Sequence, residues 1–364
     1  MARKSKLRDA ERWFFALILI VLVLATLNVA KASGYFIPEQ PGIQVKAGVI
    51  PTVELHTLSL DQKIAQMIIV SGSEANSDVW KKMQPGGVHL FARSKEEQFT
   101  QLIDKYQQDM QVPFFVTVDL EGCLNPFANF KQFPAAVEIA TPDEAFRIGT
   151  EQGKFLKSVG VNLNFAPVVD LKDQIWRCRS FPGDEKEVTL LANAYLKGLQ
   201  EQGVIATAKH YPGKTLVTRD PHKYLVTATI DNRDLFPYSE LAKDVDGIMV
   251  SHLITSGAID SRGIPSVASP QVIGTLKQRY DGLVISDEIN MLGLKDFYPT
   301  LDEMYLAVFI AGNDIILNFN EDPNEIYRMI QVVKKGVEQG DIPESQIDAS
   351  VTKILKAKGF MVER

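Results

Sequence analysis

Cysteine is nearly absent from this chain: Cys123 and Cys178 are its only two in 364 residues. That excludes a disulfide-framework fold and a cysteine-built metal centre, since both need more thiols at closer spacing. Histidine is scarce too, five in all, and no His-x-x-x-His pair occurs. No glycine-rich phosphate turn follows a strand-like run, which argues against a doubly wound nucleotide-binding sheet. Basic residues form no stripe. Lys and Arg number 39 against 45 Asp and Glu, a net charge of −6. Residues 1–12 hold five of those cations and two of the acids, leaving −6 − (5 − 2) = −9 for the rest. So acidic a body carries no footprint for a phosphate backbone, and nucleic acid is not an expected partner.

Long apolar runs are missing except at one end. Met1 to Arg12 is basic, and Trp13 to Ala30 (WFFALILIVLVLATLNVA) has no charge. This is the pattern of a membrane anchor or of a signal segment. The run exceeds the usual length of a cleaved apolar region, which favours a retained helix, whereas Ala30-Lys31-Ala32 offers a cleavage site. No Cys follows at a lipidation position. Either way the basic flank stays in the cytoplasm and the body lies outside it, tethered to the membrane or released after Ala32. Residues 31–56 hold three Pro and no sustained period, and read as a linker to one domain over 57–364.

Within that domain eight short apolar runs look like buried strands: 67–71, 87–91, 114–120, 161–166, 204–210, 247–252, 282–287 and 315–318. Helix signals separate them. Thr141-Pro142-Asp143-Glu144 reads as a capping box with Pro at the first helical position, closed by Gly160. Residues 187–203 carry a helical apolar stripe, and Ser269-Pro270 opens another helix towards Tyr280. Eight parallel-type strands alternating with helices point to an α/β fold, the (β/α)₈ TIM-type barrel. An open doubly wound sheet is the alternative.

Buried parallel strands are apolar, so polar residues at their ends need a reason. Here nearly every strand ends in one: His89, Asp119, Asp170, Lys209 with His210, His252, Asp287 and Asn318. In a barrel those ends converge on one mouth. A ring of Asp, His, Lys and Arg without a Cys nucleophile suggests acid–base chemistry, of the kind glycosidases run with a carboxylate and a proton donor. Asp287 suits the first role. Asp220-Pro221-His222 suits the second, since a carboxylate two residues from an imidazole can orient it. A metal held by His210, Asp220 and His222 is the competing reading, disfavoured by Lys209 beside it. No cofactor is expected.

The stretches LSLDQKIAQM (58–67), GGVHLFARS (86–94), VDLEG (118–122), GVNLNFAPVVDL (160–171), RSF (179–181), KHYPG (209–213), DPH (220–222), IMVSH (248–252), SDEINMLGL (286–294) and AGNDIIL (311–317) carry a further signal. From Leu58 onward they resemble, in order and spacing, the bacterial β-N-acetylglucosaminidases of glycoside hydrolase family 3. The resemblance implies Asp287 as catalytic nucleophile, His222 as general acid/base and Asp220 as its partner. It implies that Asp119, Arg179, Lys209 and His210 hold the terminal N-acetylglucosamine. The substrate implied is a peptidoglycan-derived saccharide or a chitooligosaccharide, and the enzyme is expected to act as a monomer. Lys209 and Arg179 are expected beside Asp287, favouring its charged form.

The chain departs from the family pattern in places. Cys123-Leu124 replaces Gly-Arg, Lys214-Thr215 replaces His-Gly, Pro221 replaces Ser, and Asn164 stands for a frequent Asp. A weakly active or binding-only relative, and a β-glucosidase or xylosidase, are the rival readings. If Asp119 and Arg179 hold one sugar, Cys123 and Cys178 sit on neighbouring loops. A disulfide between them is expected to replace the rigidity lost with the Gly-Arg loop.

Overall fold

The computed structural model describes residues 2–32, 34–217 and 219–363, with the backbone alone for 2–12. All eight expected strands form, seven of them shorter than their apolar runs and the fifth shifted one residue onward at equal length. They are β1 (Ile68–Ser71), β2 (Gly87–His89), β3 (Phe115–Val118), β4 (Leu163–Asn164), β5 (Ile205–Tyr211), β6 (Gly247–Val250), β7 (Leu283–Ser286) and β8 (Ile316–Asn318). Every neighbouring pair is parallel, in the order β7-β6-β5-β4-β3-β2-β1-β8. A parallel bridge between Ile285 and Ile315 brings the two ends together. The result is a (β/α)₈ barrel, not an open sheet.

Helices cover the barrel because their apolar faces need a partner. Helix Pro142–Val159 starts as the sequence predicts, with Thr141 accepting from the Glu144 amide and Gly160 closing it at φ 91°. The Glu144 carboxylate binds the Ala140 amide instead of completing the box. The helix expected from residue 187 begins at Glu185, because Asp184 accepts from the amides of Lys186 and Glu187. Helix Pro270–Lys277 stops before Tyr280. In the barrel wall Asn164 bonds both the amide and the carbonyl of Leu120, at 2.9 and 3.0 Å, locking β4 to the end of β3.

Residues 34–56, read as a linker, pack against the body. Ile37 and Ile43 are buried. Val45–Lys46 and Thr52–Glu54 join Met361–Glu363 in a small sheet, which lies at the base, where the strands begin. The N-terminal helix, Ala2–Ala32, holds one stretch, Trp13–Ala32, long and apolar enough to cross a membrane.

Candidate active site

Strand C-terminal ends meet around a cavity of about 240 Å³. Its wall includes Asp119, Arg179, Lys209, His210, His222 and Asp287, six residues that the sequence scatters over 169 positions. Asp220 stands behind His222 rather than on the wall. Asp119 and Asp287 follow β3 and β7, Lys209 and His210 lie in the last three residues of β5, and Arg179 and His222 come from the two long loops flanking β5.

Opposite charges interleave on one side. The Lys209 ammonium lies 2.5 Å from Asp119 Oδ1 and 2.6 Å from Glu121 Oε1. Arg179 grips Glu121 with two donors, Nε on Oε2 and Nη2 on Oε1 at 2.7 Å. Burial alone would strip Lys209 of its proton, but Asp119 and Glu121 outweigh it and hold the cation. Enclosure would likewise push the Asp119 carboxyl up, and Lys209, His89 and Arg179 together bring it below its ordinary value. Such a rigid, fully paired set offers donors and acceptors at fixed positions, the means of reading a sugar's hydroxyls.

Asp287 takes a simpler setting. Its amide donates to Val250 O at 2.9 Å and its Oδ1 accepts from the Glu288 amide at 2.8 Å. Among the described residues neither Lys209 nor Arg179 forms an ion pair with it. The two cations share the cavity wall with Asp287, as the sequence leads one to expect, while their ion pairs go to Asp119 and Glu121. His222 is half exposed at the rim. Its Nδ1 donates to Asp220 Oδ1 at 2.8 Å, and the same oxygen takes the His222 amide at 3.0 Å. Partial burial raises the Asp220 carboxyl, yet the two His222 bonds outweigh this and keep it ionised. Leu292 N donates to His222 O at 3.3 Å, tying the His222 loop to the chain that follows Asp287.

His210 is fixed differently. Its Nδ1 lies 2.9 Å from Asp170 Oδ2. Burial pushes the Asp170 carboxyl up to about 7 and the imidazole well below its usual value. His210 is therefore neutral, with Nε2 left for a ligand. His89 is stacked between Phe165 and Phe319, with ring centroids 5.7 and 4.5 Å away. Burial brings its imidazole down to about 4. His252 donates from Nε2 to Glu288 O at 2.8 Å, and Asn318 accepts from Asn290 at 2.6 Å. These strand-end residues brace the loop after Asp287 rather than enter the wall.

Cys123 and Cys178 form a disulfide, with Cα atoms 6.1 Å apart. It joins the loop after β3 to the loop carrying Arg179. Asp173 organises that second loop, taking the amides of Trp176, Cys178 and Arg179 at 2.8, 2.9 and 2.8 Å. Burial would raise its carboxyl, but these amides bring it below the usual range. Lys214, one of the departures from the pattern, points away from the wall and binds Asp234 at 2.8 Å and Thr229 O at 2.6 Å.

Sequence reasoning passed over three residues. Glu121 is buried between Arg179 and Lys209, and a carboxylate two residues past a strand-end Asp was a visible clue. Glu288 lines the cavity, its Oε1 accepting from Asn290 N, Asn290 Nδ2 and Phe319 N. Burial pushes its carboxyl up. Trp176 touches both Arg179 and His222, a contact between separate loops that no local pattern announces.

The profile of the glycosyl hydrolase family 3 N-terminal domain matches residues 59–357. The chain belongs to glycosyl hydrolase family 3. Among its relatives, beta-hexosaminidase LpqI of Mycobacterium tuberculosis is 30% identical over 273 residues, which cover 68% of this chain and 69% of that protein. A beta-hexosaminidase of Tolumonas auensis is 30% identical over 280 residues, 70% of this chain and 82% of that one. Among solved structures, M. tuberculosis LpqI superposes with a TM-score of 0.78 at 26% identity, covering 85% of this chain and 97% of that chain. A family 3 β-N-acetylglucosaminidase from Paenibacillus gives 0.75 at 27% identity, covering 83% and 62%.

Proposed function

We propose that this family 3 chain is a retaining β-N-acetylglucosaminidase that removes non-reducing terminal N-acetylglucosamine. The observation that carries the reading is the shared cavity: a strand-end carboxylate, Asp287, and an imidazole paired with a carboxylate, His222 with Asp220, border one space lined by sugar-reading polar groups. The names of its relatives, beta-hexosaminidase and β-N-acetylglucosaminidase, support the same substrate class.

In this mechanism Asp287 attacks the anomeric carbon while the bond to the leaving oxygen breaks. Protonated His222 gives that oxygen its Nε2 proton, and the remaining Nδ1–H stays bonded to Asp220. The neutral imidazole then takes a proton from water, whose oxygen displaces Asp287 from the anomeric carbon. Asp119, Lys209, Arg179 and His210 bind the sugar. Glu121 holds the two cations in register, a positioning task.

The N-terminal helix serves as the tether. The basic residues 1–12 lie on the cytoplasmic side, Trp13–Ala32 spans the membrane, and the barrel stands beyond it, with direct access to glycans of the envelope. Family 3 β-glucosidase or xylosidase activity is the rival. Kinetics on chromogenic glycosides separate them. Wild type should prefer the β-N-acetylglucosaminide over the β-glucoside, and Asp287→Asn should abolish turnover. A preference for the glucoside lacking the acetamido group, or full activity in Asp287→Asn, overturns the reading.

A further inference from the structure

The N-terminal helix meets the barrel at its mouth rather than its base. Lys31 O accepts from Asn324 Nδ2 at 2.8 Å. Asn324 lies in the first turn of helix Pro323–Gln339, which leaves the end of β8. Next to it the chain turns: Tyr35 N bonds Ala30 O at 2.9 Å, and Gly34 N bonds Lys31 O at 3.0 Å. Gly34 has φ 68°, and a Cβ there would sit 2.7 Å from Val79 and 3.2 Å from Pro323. Its backbone is seated flat on two helices at that point, and only glycine fits.

From this junction the chain descends beside helix Ser77–Met83 to the base. Gln40 N bonds Lys82 O at 3.0 Å, and Gln84 and Gln62 donate to Pro41 O at 3.2 and 2.7 Å. The packed segment thus fixes which end of the barrel lies near the apolar helix. That helix does not lie along the body, since Trp13 through Val29 are exposed throughout. It stands clear, at the mouth end. Its 20 apolar-stretch residues rise about 30 Å, the thickness of a bilayer core.

The mouth is close by. Phe319 lines the catalytic cavity and precedes Asn324 by five residues, so the two are separated by at most about 18 Å. The rim itself is apolar and exposed. Phe91 and Leu124 border the cavity, Tyr224 follows His222 by two residues, and Leu292 and Phe297 belong to the segment after Asp287. Tyr35 and Phe36, where the chain leaves the apolar helix, are exposed as well. Aromatic and aliphatic side chains around an opening continuous with a membrane span are the composition of an interfacial surface.

We propose that the catalytic mouth faces the bilayer, its rim seated in the lipid interface, and that the enzyme takes terminal N-acetylglucosamine from glycoconjugates borne by that same membrane. This deepens the glycosidase reading and rests on the tether. A mouth turned to the lipid surface stands at the height of the first sugars of a lipid-linked glycan. Confinement of enzyme and substrate to one surface raises the effective concentration of each for the other.

Full-length protein in phosphatidylcholine–phosphatidylglycerol vesicles tests this, with a fluorophore on either Phe297→Cys or Val49→Cys, both native thiols being in the disulfide. Val49 is exposed at the base. Nitroxide-headgroup lipid should quench the fluorophore at 297 and leave that at 49 bright. Equal quenching, or stronger quenching at 49, overturns the orientation, and a chain that fails to float with the vesicles overturns both orientation and tether. A second arm compares a dialkylglycerol β-N-acetylglucosaminide in the same vesicles with a soluble chromogenic one. A flexible Gly-Ser insert of about 20 residues between Ser33 and Gly34, reaching some 25 Å, should leave the soluble rate unchanged and lower the lipid-borne rate about tenfold. An unchanged lipid-borne rate sinks the substrate proposal. Loss of the soluble activity in wild type would instead sink the glycosidase reading, while the quenching still reports the orientation.

Discussion

The indole of Trp176 stands edge-to-face with the imidazole of His222, ring centroids 5.6 Å apart at 87°, and carries the Arg179 guanidinium 4.7 Å from its centroid. One side chain therefore links the group assigned to the leaving oxygen with a group assigned to the sugar. Such contacts contribute about 0.5–1.5 kcal/mol each. On the proposed mechanism Trp176 acts as a positioning residue for His222.

Trp176→Ala should lower kcat/KM three- to tenfold, roughly what one such contact is worth, for substrates with a poor leaving group such as a disaccharide. A dinitrophenyl glycoside needs no acid and should be spared, and Trp176→Phe should restore most of the loss. Equal losses on both substrates would mark Trp176 as structural only.

His222→Ala should show the same selectivity more strongly. General acid assistance is worth about 10²–10⁴ in rate, so kcat/KM for the poor leaving group should fall by that order. For the dinitrophenyl substrate, kcat/KM should stay near wild type while slowed deglycosylation lowers kcat, measured by steady-state and burst kinetics.

Glu121→Gln removes the carboxylate that binds both Arg179 and Lys209. Breaking a buried ion pair from one side costs about 3–5 kcal/mol. The variant should unfold at lower denaturant in equilibrium melts, and any folded fraction should show raised KM, because the cations assigned to the sugar in the proposed mechanism lose their register. Unchanged stability and KM would contradict the bracing role.

Reduction of Cys123–Cys178 releases a link across 55 residues, worth up to about 4 kcal/mol in the chain-entropy treatment. Dithiothreitol, or Cys178→Ser, should lower the melting temperature and raise KM more than it lowers kcat, since the freed loop carries Arg179. Melting scans and Michaelis curves with and without reductant check both.

Lys358 gives a pH-dependent prediction away from the site. Its ammonium is buried at the base, 2.9 Å from Gln66 Oε1 and 5.0 Å from the Phe115 ring centre. Burial lowers its pKa to about 7. Between pH 7 and its ordinary value the unfolded chain binds a proton that the folded one does not, so stability rises with pH there. In Lys358→Met that rise, on the order of a few kcal/mol, should vanish, as read from denaturant midpoints between pH 7 and 10.

The eight strands, the barrel that they imply and the list of polar strand ends are legible along the chain. Apolar runs bounded by turn residues are local, and a buried parallel strand leaves few other places for Asp or His. The sequence also marks Asp287 and the Asp220–His222 pair, because strand-end position and a two-residue spacing are both written along the chain. Packing in three dimensions settles which strand-end residues share a wall and which, like His252 and Asn318, brace the loop behind it. It gives Lys209 and Arg179 to Asp119 and Glu121 instead of Asp287, and sets Trp176 between two loops. It also turns residues 34–56 from a linker into a packed strap that brings the apolar helix to the mouth. Those outcomes depend on pairing between segments dozens of residues apart. There the nearest opposite charge or free apolar face takes the partner, and no local period records it.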